Sequence, residues 1–259
     1  MGILNVTPDS FSDGGEFINP EKALEHAQQM IAEGAHIIDV GGESTRPGAA
    51  AVSVHDELAR VLPVIESLRN KTEVAISIDT SKAEVARAAL IAGADIVNDV
   101  TGFRAQEMIA VCQGSDCGMV VMHMQGTPRT MQKSPEYRDV VAEVHCFFEE
   151  KHRELMTHGI ATERVVFDPG IGFGKTLEHN LTLLNALGDL VVEGRPLLMG
   201  LSRKSFIAKL TGEDELASRA WPTVALTAFT RQNGAAIHRV HDIAENLHAI
   251  RMAESVSSE

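Results

Sequence analysis

The chain has 259 residues and a formal net charge of −13 at pH 7, with 44% hydrophobic and 23% charged residues. This length fits one large α/β domain better than two full-sized domains. The acidic balance argues against a nucleic-acid partner, because nucleic-acid binding needs a concentrated basic surface. No apolar stretch approaches the roughly 18 residues that cross a bilayer, so we expect no membrane partner either.

The three cysteines, Cys112, Cys117 and Cys146, are odd in number and do not have the spacing of a zinc site. This pattern favours reduced thiols in a cytoplasmic protein.

Eight apolar segments are typical of β-strands, and a helical pattern follows each of them. They are residues 3–6, 37–40, 74–79, 96–100, 119–122, 165–167, 197–200 and 237–240. Strands that alternate with helices indicate a parallel sheet, and eight such units in this length favour closure into a (β/α)8 TIM barrel. No linker or low-complexity segment divides the chain, so we predict a single α/β domain over residues 1–259.

The ends of the predicted helices carry recognisable signals. Asn19 and Pro20 form an N-cap and first-turn proline, a longer helix is predicted near residues 138–158, and Asp242 is predicted to cap the last helix. The phrase Gly-Ala-x-Ile begins at Gly34, Gly93 and Gly234, each time between a helical pattern and a strand. A glycine just past a helix commonly adopts the left-handed conformation that ends it, so we predict a helix-to-strand turn at each phrase.

Polar side chains follow the carboxyl ends of nearly all the predicted strands, the edge at which (β/α) barrels collect their reacting groups. They are Asn5, Asp39, Asp79, Asn98, Met122 with His123, Asp168, residues 202–205, and Arg239 with His241. A single aspartate there often only caps the next helix. Complementary groups at seven or eight ends favour a binding site.

Two segments rich in glycine and polar residues, 6–15 and 41–48, follow the first two strands. The first carries one aromatic residue, Phe11, as a mobile lid would, and the second places Arg46 among small and stiff residues. A solvated turn is the alternative for either segment taken alone.

Two further patterns look like known motifs but fail on their geometry. Residues 168–176 end in Gly-Lys-Thr, yet Pro169 stands where a phosphate-binding loop has its first glycine. We expect these glycines to let the backbone pass close to a flat ligand, with Phe173 as one wall. His238 and His241 do not suggest a metal pair, because residues three apart on a strand point to opposite faces.

The residue types at the strand ends suit a flat heterocycle. Asp168 and Asn98 would offer an acceptor and an amide to a planar N–H/NH2 edge such as that of a 2-aminopyrimidinone. Lys204 would donate to the opposite side of the ring, and Asp79 would complete the contacts.

A second group suits anions. Arg46, Arg239, His241 and Asn5 would bind a pyrophosphate and its magnesium, and Ser202 and Ser205 begin a helix whose N-terminus favours another anion. A transferase with a pyrophosphate leaving group fits all three features.

These residues lie in eight motifs through which the chain resembles the dihydropteroate synthase family over essentially its whole length. The motifs are residues 2–15, 41–48, 77–80, 98–100, 122–126, 168–175, 202–205 and 239–242. The family joins 6-hydroxymethyl-7,8-dihydropterin diphosphate to p-aminobenzoate, releases pyrophosphate, and is the target of the sulfonamides. The resemblance therefore implies a Mg2+-dependent homodimeric transferase with these small-molecule substrates.

The resemblance also implies a role for each site residue. Pterin would contact Asp79, Asn98, Met122, Asp168, Phe173 and Lys204; pyrophosphate would contact Asn5, Arg239 and His241, with Asn5 as the Mg2+ ligand. p-Aminobenzoate would contact Phe11, Thr45, Arg46, Pro47 and Ser205 together with Lys204, and the catalytic residues would be Asp79, Lys204, Asp9 and Asp13. The family's mechanism is dissociative, with pyrophosphate leaving before the amine attacks.

The chain departs from the family's usual pattern in two places. Met1 directly precedes the first motif without the usual N-terminal hairpin, which leaves open a naturally short form or a domain of a longer polypeptide. Trp221 and Pro222 replace a small-residue helix start near the helices that form the family's dimer. Two alternatives remain: a pterin-binding methyltransferase barrel, and a catalytically silent barrel that binds pterin or sulfonamide.

Overall fold

The computed structural model describes residues 1–7, 20–44, 49–128 and 130–257. Its strands are β1 (Gly2–Asn5), β2 (Ile37–Gly41), β3 (Ala75–Asp79), β4 (Ile96–Asp99), β5 (Gly118–Met122), β6 (Val165–Asp168), β7 (Leu197–Met199) and β8 (Ala235–His238). Each of the eight predicted strands is present, and its ends lie within two residues of the prediction.

All eight strands are parallel and neighbour one another in chain order. The first and last meet through a parallel bridge between Gly2 and Val240. There the Ile3 amide donates to the Val240 carbonyl at 3.0 Å, and the Val240 amide donates to the Met1 carbonyl at 2.9 Å. The sheet therefore closes on itself, which confirms the (β/α)8 barrel.

A helix follows every strand, and one more helix precedes β8. The helices are α1 (Pro20–Ala32), α2 (Val54–Arg69), α3 (Ala83–Ile91), α4 (Gln106–Gln113), α5 (Val140–Thr157), α6 (Leu177–Asn185), α7 (Ser205–Thr211), α8 (Ala220–Gln232) and α9 (Ile243–Ser257). Short 3-10 turns lie at Thr162–Arg164, Leu187–Leu190 and Ala217–Arg219. Within the described ranges, the apolar helical runs are all too short to cross a bilayer.

The structure confirms the predicted glycine turns and the long helix, whereas the predicted N-cap Asn19 lies outside the described residues. Gly34, Gly93 and Gly234 have φ of 101°, 109° and 95°, so all three helix-to-strand glycines adopt positive φ as predicted. The long helix begins after Asp139, whose carboxylate accepts hydrogen bonds from the amides of Val141 and Ala142.

The strand register sets polar side chains beside one another on the inner face of the barrel. Asn5 pairs with Gly41, Gly41 with Asp79, and Asp79 with Asn98. Facing residues of paired strands share a face, and the residues between them point the other way. The alternate residues, including Leu4, Val40, Ile78 and Val97, are accordingly fully buried in the apolar layer between the sheet and the helices.

Candidate active site

Two carboxylates from neighbouring strands hold Arg239 at the end of β8. Its Nε donates to Asp39 Oδ2 at 2.6 Å, and its NH2 donates to Asp79 Oδ2 at 2.7 Å. Charge-assisted bonds of this kind are short and strong. Arg239 was predicted to bind pyrophosphate, and here its nearest partners are carboxylates. Its third nitrogen, NH1, makes no hydrogen bond within the described part of the chain.

Asp39 is the residue of this cluster for which we predicted no specific function. It is fully buried, and its Oδ2 also accepts a bond from Asn98 Nδ2 at 3.2 Å. It thus joins Arg239 to the predicted pterin-binding asparagine. The sequence did contain a sign of this role, because Asp39 is a charged residue within the apolar run Ile-Ile-Asp-Val. A charge that is buried with such a run requires partners.

Two oxygen atoms in this cluster, Asp39 Oδ1 and Asp79 Oδ1, are buried and have no hydrogen-bond partner among the described residues. An unsatisfied buried acceptor costs roughly 1–3 kcal/mol, so both atoms favour a ligand that brings N–H donors. Burial raises the pKa of Asp79 to about 7, against the opposing effect of the Arg239 guanidinium. Near neutral pH this carboxyl group is therefore balanced between its charged and neutral forms.

The structure brings three other predicted pterin-binding residues together. Asp168 Oδ1 accepts a bond from the Gly170 amide at 2.7 Å. Its Oδ2 and Lys204 Nζ each lie 3.7 Å from the point where a side chain on Gly200 would begin, so Gly200 keeps the space between them open. Lys204 Nζ also donates to the Ile171 carbonyl and lies 4.6 Å from the centre of the Phe173 ring.

Burial also changes the acidity of Asp168 and Lys204. It raises the pKa of the Asp168 carboxyl group, which Lys204 opposes, and it lowers the pKa of Lys204 to about 8, which Asp168 opposes. Each group therefore stabilises the charge of the other in a region poor in water.

Beside this pair lies a small apolar cluster. Val100, Met122, Met124 and Met131 are buried together, and the partly buried Phe173 packs against them. Met122 and Phe173 thus lie in one apolar surface next to the carboxylates. This position suits the predicted contact of both residues with the faces of a flat ring.

His241 is oriented by the loop after β7. The Ser202 hydroxyl accepts a bond from the His241 amide at 3.2 Å and lies 2.9 Å from His241 Nδ1. These two contacts fix the His241 ring against the Ser202 side chain. Ser205, another predicted residue, is exposed at the first position of α7.

The glycines after Asp168 were predicted to let the backbone approach a flat ligand, but the structure gives another reason for Gly170 and Gly174. A side chain on Gly170 would begin 1.9 Å from the His123 carbonyl oxygen, and one on Gly174 would begin 2.6 Å from the Gln125 carbonyl oxygen. Both glycines therefore let this loop pass against the backbone of the loop after β5. Gly172 instead borders Lys204, whose Cδ lies 3.3 Å from the point where a side chain on Gly172 would begin.

Lys175 confirms that this loop is no phosphate-binding loop. Its ammonium is buried and lies 2.9 Å from His123 Nδ1 and 3.1 Å from each of the Gly170 and Phe173 carbonyl oxygens. These partners leave it no role at a phosphate. His238 and His241 likewise have separate partners, since His238 Nε2 lies 2.9 Å from Thr230 Oγ1.

The remaining predicted residues are of two kinds. Asp9, Phe11, Asp13, Thr45, Arg46 and Pro47 lie outside the described residues. Asn5 is described: its Oδ1 and Asp79 Oδ2 flank the same point, each 3.7 Å from where a side chain on Gly41 would begin. No cluster of three or more His, Cys, Asp or Glu in the described ranges could hold a metal ion.

Comparisons with known proteins agree with this geometry. Residues 1–241 match the family model described as pterin binding enzyme. The chain is 47% identical over 258 residues to the dihydropteroate synthase of Escherichia coli, covering 100% of this chain and 91% of that protein.

Solved structures agree as well. One is the Xanthomonas albilineans dihydropteroate synthase with 4-aminobenzoic acid, at 44% identity and a TM-score of 0.94, covering 100% of this chain and 93% of that one. Another is the Burkholderia cenocepacia enzyme complexed with 7,8-dihydropteroate, at 44% identity and a TM-score of 0.90, covering 99% and 90%. The chain belongs to the dihydropteroate synthase family of pterin-binding enzymes.

Proposed function

We propose that this chain catalyses the condensation of 6-hydroxymethyl-7,8-dihydropterin diphosphate with p-aminobenzoate, giving 7,8-dihydropteroate and pyrophosphate. The observation that carries the proposal is the set of buried charges at the strand ends: Asp39, Asp79 and Arg239 on one side, Asp168 and Lys204 on the other. The relatives solved with 4-aminobenzoic acid and with 7,8-dihydropteroate support one of these substrates and the product.

The pterin ring would lie between the two groups of charges. The N–H/NH2 edge of the ring would donate to Asp168, and Asn98 and Asp79 would bind the adjacent ring atoms. Lys204 would donate to the ring oxygen and nitrogen on the other side, with Met122 and Phe173 against the faces. The unpartnered Asp79 Oδ1 supports this placement, because a ring N–H would remove the cost of burying it.

The diphosphate would bind at the mouth of β1 and β8. NH1 of Arg239 is a donor that the described bonds leave for an anion, His241 would be a second contact, and Asn5 would supply a metal-ligating oxygen. The amide oxygen of Asn5 lies beside the Asp79 carboxylate, and the described residues contain no larger cluster of metal ligands. Such a site fits Mg2+, which proteins bind chiefly through phosphates and water. When bound, Mg2+ would neutralise the charge that develops on the leaving pyrophosphate.

The p-aminobenzoate would bind nearer the solvent. Among the described residues, Ser205, at the N-terminus of α7, and Lys204 would contact it, and Phe11, Thr45, Arg46 and Pro47 are proposed for the rest. Asp9 and Asp13 are proposed to face the reacting methylene.

The residues favour a dissociative order of events. Loss of pyrophosphate leaves positive charge on the pterin methylene and ring, and carboxylates already fixed in place stabilise that charge without reorganising. Arg239 and His241 stabilise the leaving group. The aniline nitrogen of p-aminobenzoate is a neutral nucleophile, so the amine needs no strong general base to attack the cation. The C–N bond forms on the methylene from which pyrophosphate has left, and the acidic ammonium that results releases one proton to water.

The direct test is a coupled pyrophosphate-release assay on the purified protein, run with and without p-aminobenzoate. We expect release that depends on both substrates, and we expect Asp79→Ala, Asp168→Ala and Lys204→Ala each to reduce transition-state stabilisation by about 3–5 kcal/mol, as for a buried charge that loses its partner. Glu66→Ala, a change on α2 away from the strand ends, is the control. Near-normal turnover in all three site variants would contradict the proposal.

The metal and the order of binding are tested by calorimetry. We expect p-aminobenzoate to bind only after pyrophosphate and Mg2+ are present, and chelation of Mg2+ to abolish that step. Tight binding of p-aminobenzoate to the protein alone would contradict the proposed order.

We further propose a homodimer in the cytoplasm. Leu210, Leu216 and Trp221 are 51%, 47% and 74% exposed, and Met252 and Val256 of α9 are 64% and 70% exposed. Such apolar exposure beside α8, which packs on α9, supports a subunit contact. Free thiols at Cys112, Cys117 and Cys146 support a reducing compartment.

A further inference from the structure

Arg203 has an unusual backbone for a residue with a side chain. Its φ is 57°, in the left-handed region that glycine favours, and it lies directly before Lys204. This conformation is unfavourable for an ordinary residue, and it persists only where surrounding contacts hold it.

Those contacts grip Arg203 at its amide, its carbonyl and its side chain. The amide donates to Thr223 Oγ1 at 3.1 Å, and the carbonyl accepts from Arg219 NH1 at 3.2 Å. Thr223 is fully buried on α8 and donates to the Arg219 carbonyl at 2.7 Å. The backbone strain is thus held against α8 and the turn before it.

The side chain of Arg203 reaches the loop after β8. Its Nε donates to Asp242 Oδ2 at 3.1 Å, and its NH2 donates to Asp242 Oδ1. Asp242 was predicted only to cap α9, which does begin directly after it, and its carboxylate also forms this two-bond pair with Arg203. Two parallel bonds between a guanidinium and a carboxylate fix direction as well as distance.

The pair connects two loops that carry proposed site residues. Arg203 lies between Ser202 and Lys204, and Asp242 follows His241, which Ser202 already contacts. The two loops are therefore tied twice, once through Ser202 and His241 and once through Arg203 and Asp242.

We propose that Arg203 and Asp242 are positioning residues, which hold the strained backbone that directs the Lys204 ammonium towards Asp168 and Phe173 while touching no substrate themselves. The effect of this positioning on turnover rests on the proposed function. Its structural part concerns the free protein alone.

The structural part is tested by hydrogen exchange on the ligand-free protein. The probes are the amides of Lys204 and Ile207, which donate to Leu201 and Lys204 carbonyls at 3.3 Å and 3.1 Å. We expect Arg203→Ala and Asp242→Ala to speed exchange there at least tenfold. The matched control is Arg231→Ala, which breaks another arginine–carboxylate pair, Arg231 with Glu254 between α8 and α9. Equal exchange in all three variants would overturn the inference, whether or not the protein proves to be a synthase.

The functional part is tested by kinetics on the same variants. We expect kcat/KM for the pterin diphosphate to fall 10- to 100-fold in Arg203→Ala and Asp242→Ala, and the double variant to be no worse than either. The apparent pKa of the alkaline limb of the pH profile should rise from about 8 towards the pKa of an ordinary lysine. A purely structural role would not cause this rise. Activity equal to that of Arg231→Ala, or additive losses in the double variant, would overturn the inference. An inactive parent protein would instead contradict the proposed function.

Discussion

At the scale of single residues, the site is an arrangement of opposed charges in a region that burial makes unfavourable for each charge alone. Asp79 and Asp168 would lose their protons less readily than in water, and Lys204 would lose its proton more readily. Perturbed groups of this kind cluster at functional sites because catalysis near neutral pH needs both charged and neutral forms within reach.

These shifts predict a narrow pH optimum. As pH falls through about 7, Asp79 gains a proton and no longer stabilises a cation; as pH rises through about 8, Lys204 loses its proton. We therefore expect kcat/KM for the pterin diphosphate to decline on both sides of this interval, with apparent values that belong to the coupled groups together. Asp79→Asn should lower activity and remove the acid limb. An acid limb that survives unchanged in Asp79→Asn would assign it to another group.

At the scale of elements, the loop between β6 and α6 depends on backbone that only glycine provides. Gly170 has φ of 65°, and a side chain there would meet the His123 carbonyl at 1.9 Å. The contact holds the loops after β5 and β6 together, and Lys175 crosses between them to His123. Asp168, Phe173 and the backbone partner of Lys204, Ile171, all lie within or at the start of this loop.

Gly170→Ala should therefore destabilise the protein strongly. We expect a loss of about 4 kcal/mol, from about 1 kcal/mol for the left-handed backbone and about 3 kcal/mol for the steric clash. Gly159→Ala is a matched control, because Gly159 has φ of 74° and nothing within 4 Å of the new carbon. Urea unfolding of the two variants measures the difference. A loss in Gly170→Ala no larger than in Gly159→Ala would contradict the close packing of the two loops.

At the scale of the whole molecule, barrel closure brings residues from opposite ends of the chain into one site. Arg239 contacts Asp39 and Asp79, which are 200 and 160 residues away in sequence. The closure itself consists of the β1–β8 hydrogen bonds, so the first and last strands must both be in place before the arginine meets its carboxylates.

The outer surface of the molecule predicts its assembly. Trp221 is 74% exposed at the start of α8 and follows the exposed Leu210 and Leu216 in the chain, and exposed apolar side chains that form a patch mark contact surfaces. We expect the protein to sediment as a dimer and Trp221→Glu to shift it towards the monomer. Ile91, the last residue of α3, is also exposed but lies outside the α7–α9 part of the chain, so Ile91→Glu is the control. A monomer at micromolar concentration, or an unchanged dimer in Trp221→Glu, would contradict the proposed contact surface.

The sequence by itself determined the order of strands and helices, the glycine turns and the polar residues that lie at the strand ends. Apolar periodicity, positive-φ glycines and strand-end polar residues are local signals, and each is legible without knowing what faces it. The same signals placed Asn98, Asp168, Phe173 and Lys204 at one edge, because parallel strands bring their carboxyl ends together.

Only the tertiary structure decided which charges pair. The sequence could not show that Arg239 binds Asp39 and Asp79, that Asp242 holds Arg203 rather than only preceding α9, or that Gly170 packs on a neighbouring loop. The physical reason is that partner choice depends on register, barrel closure and burial, which join residues far apart in the chain. Local residue patterns carry no information about those distances.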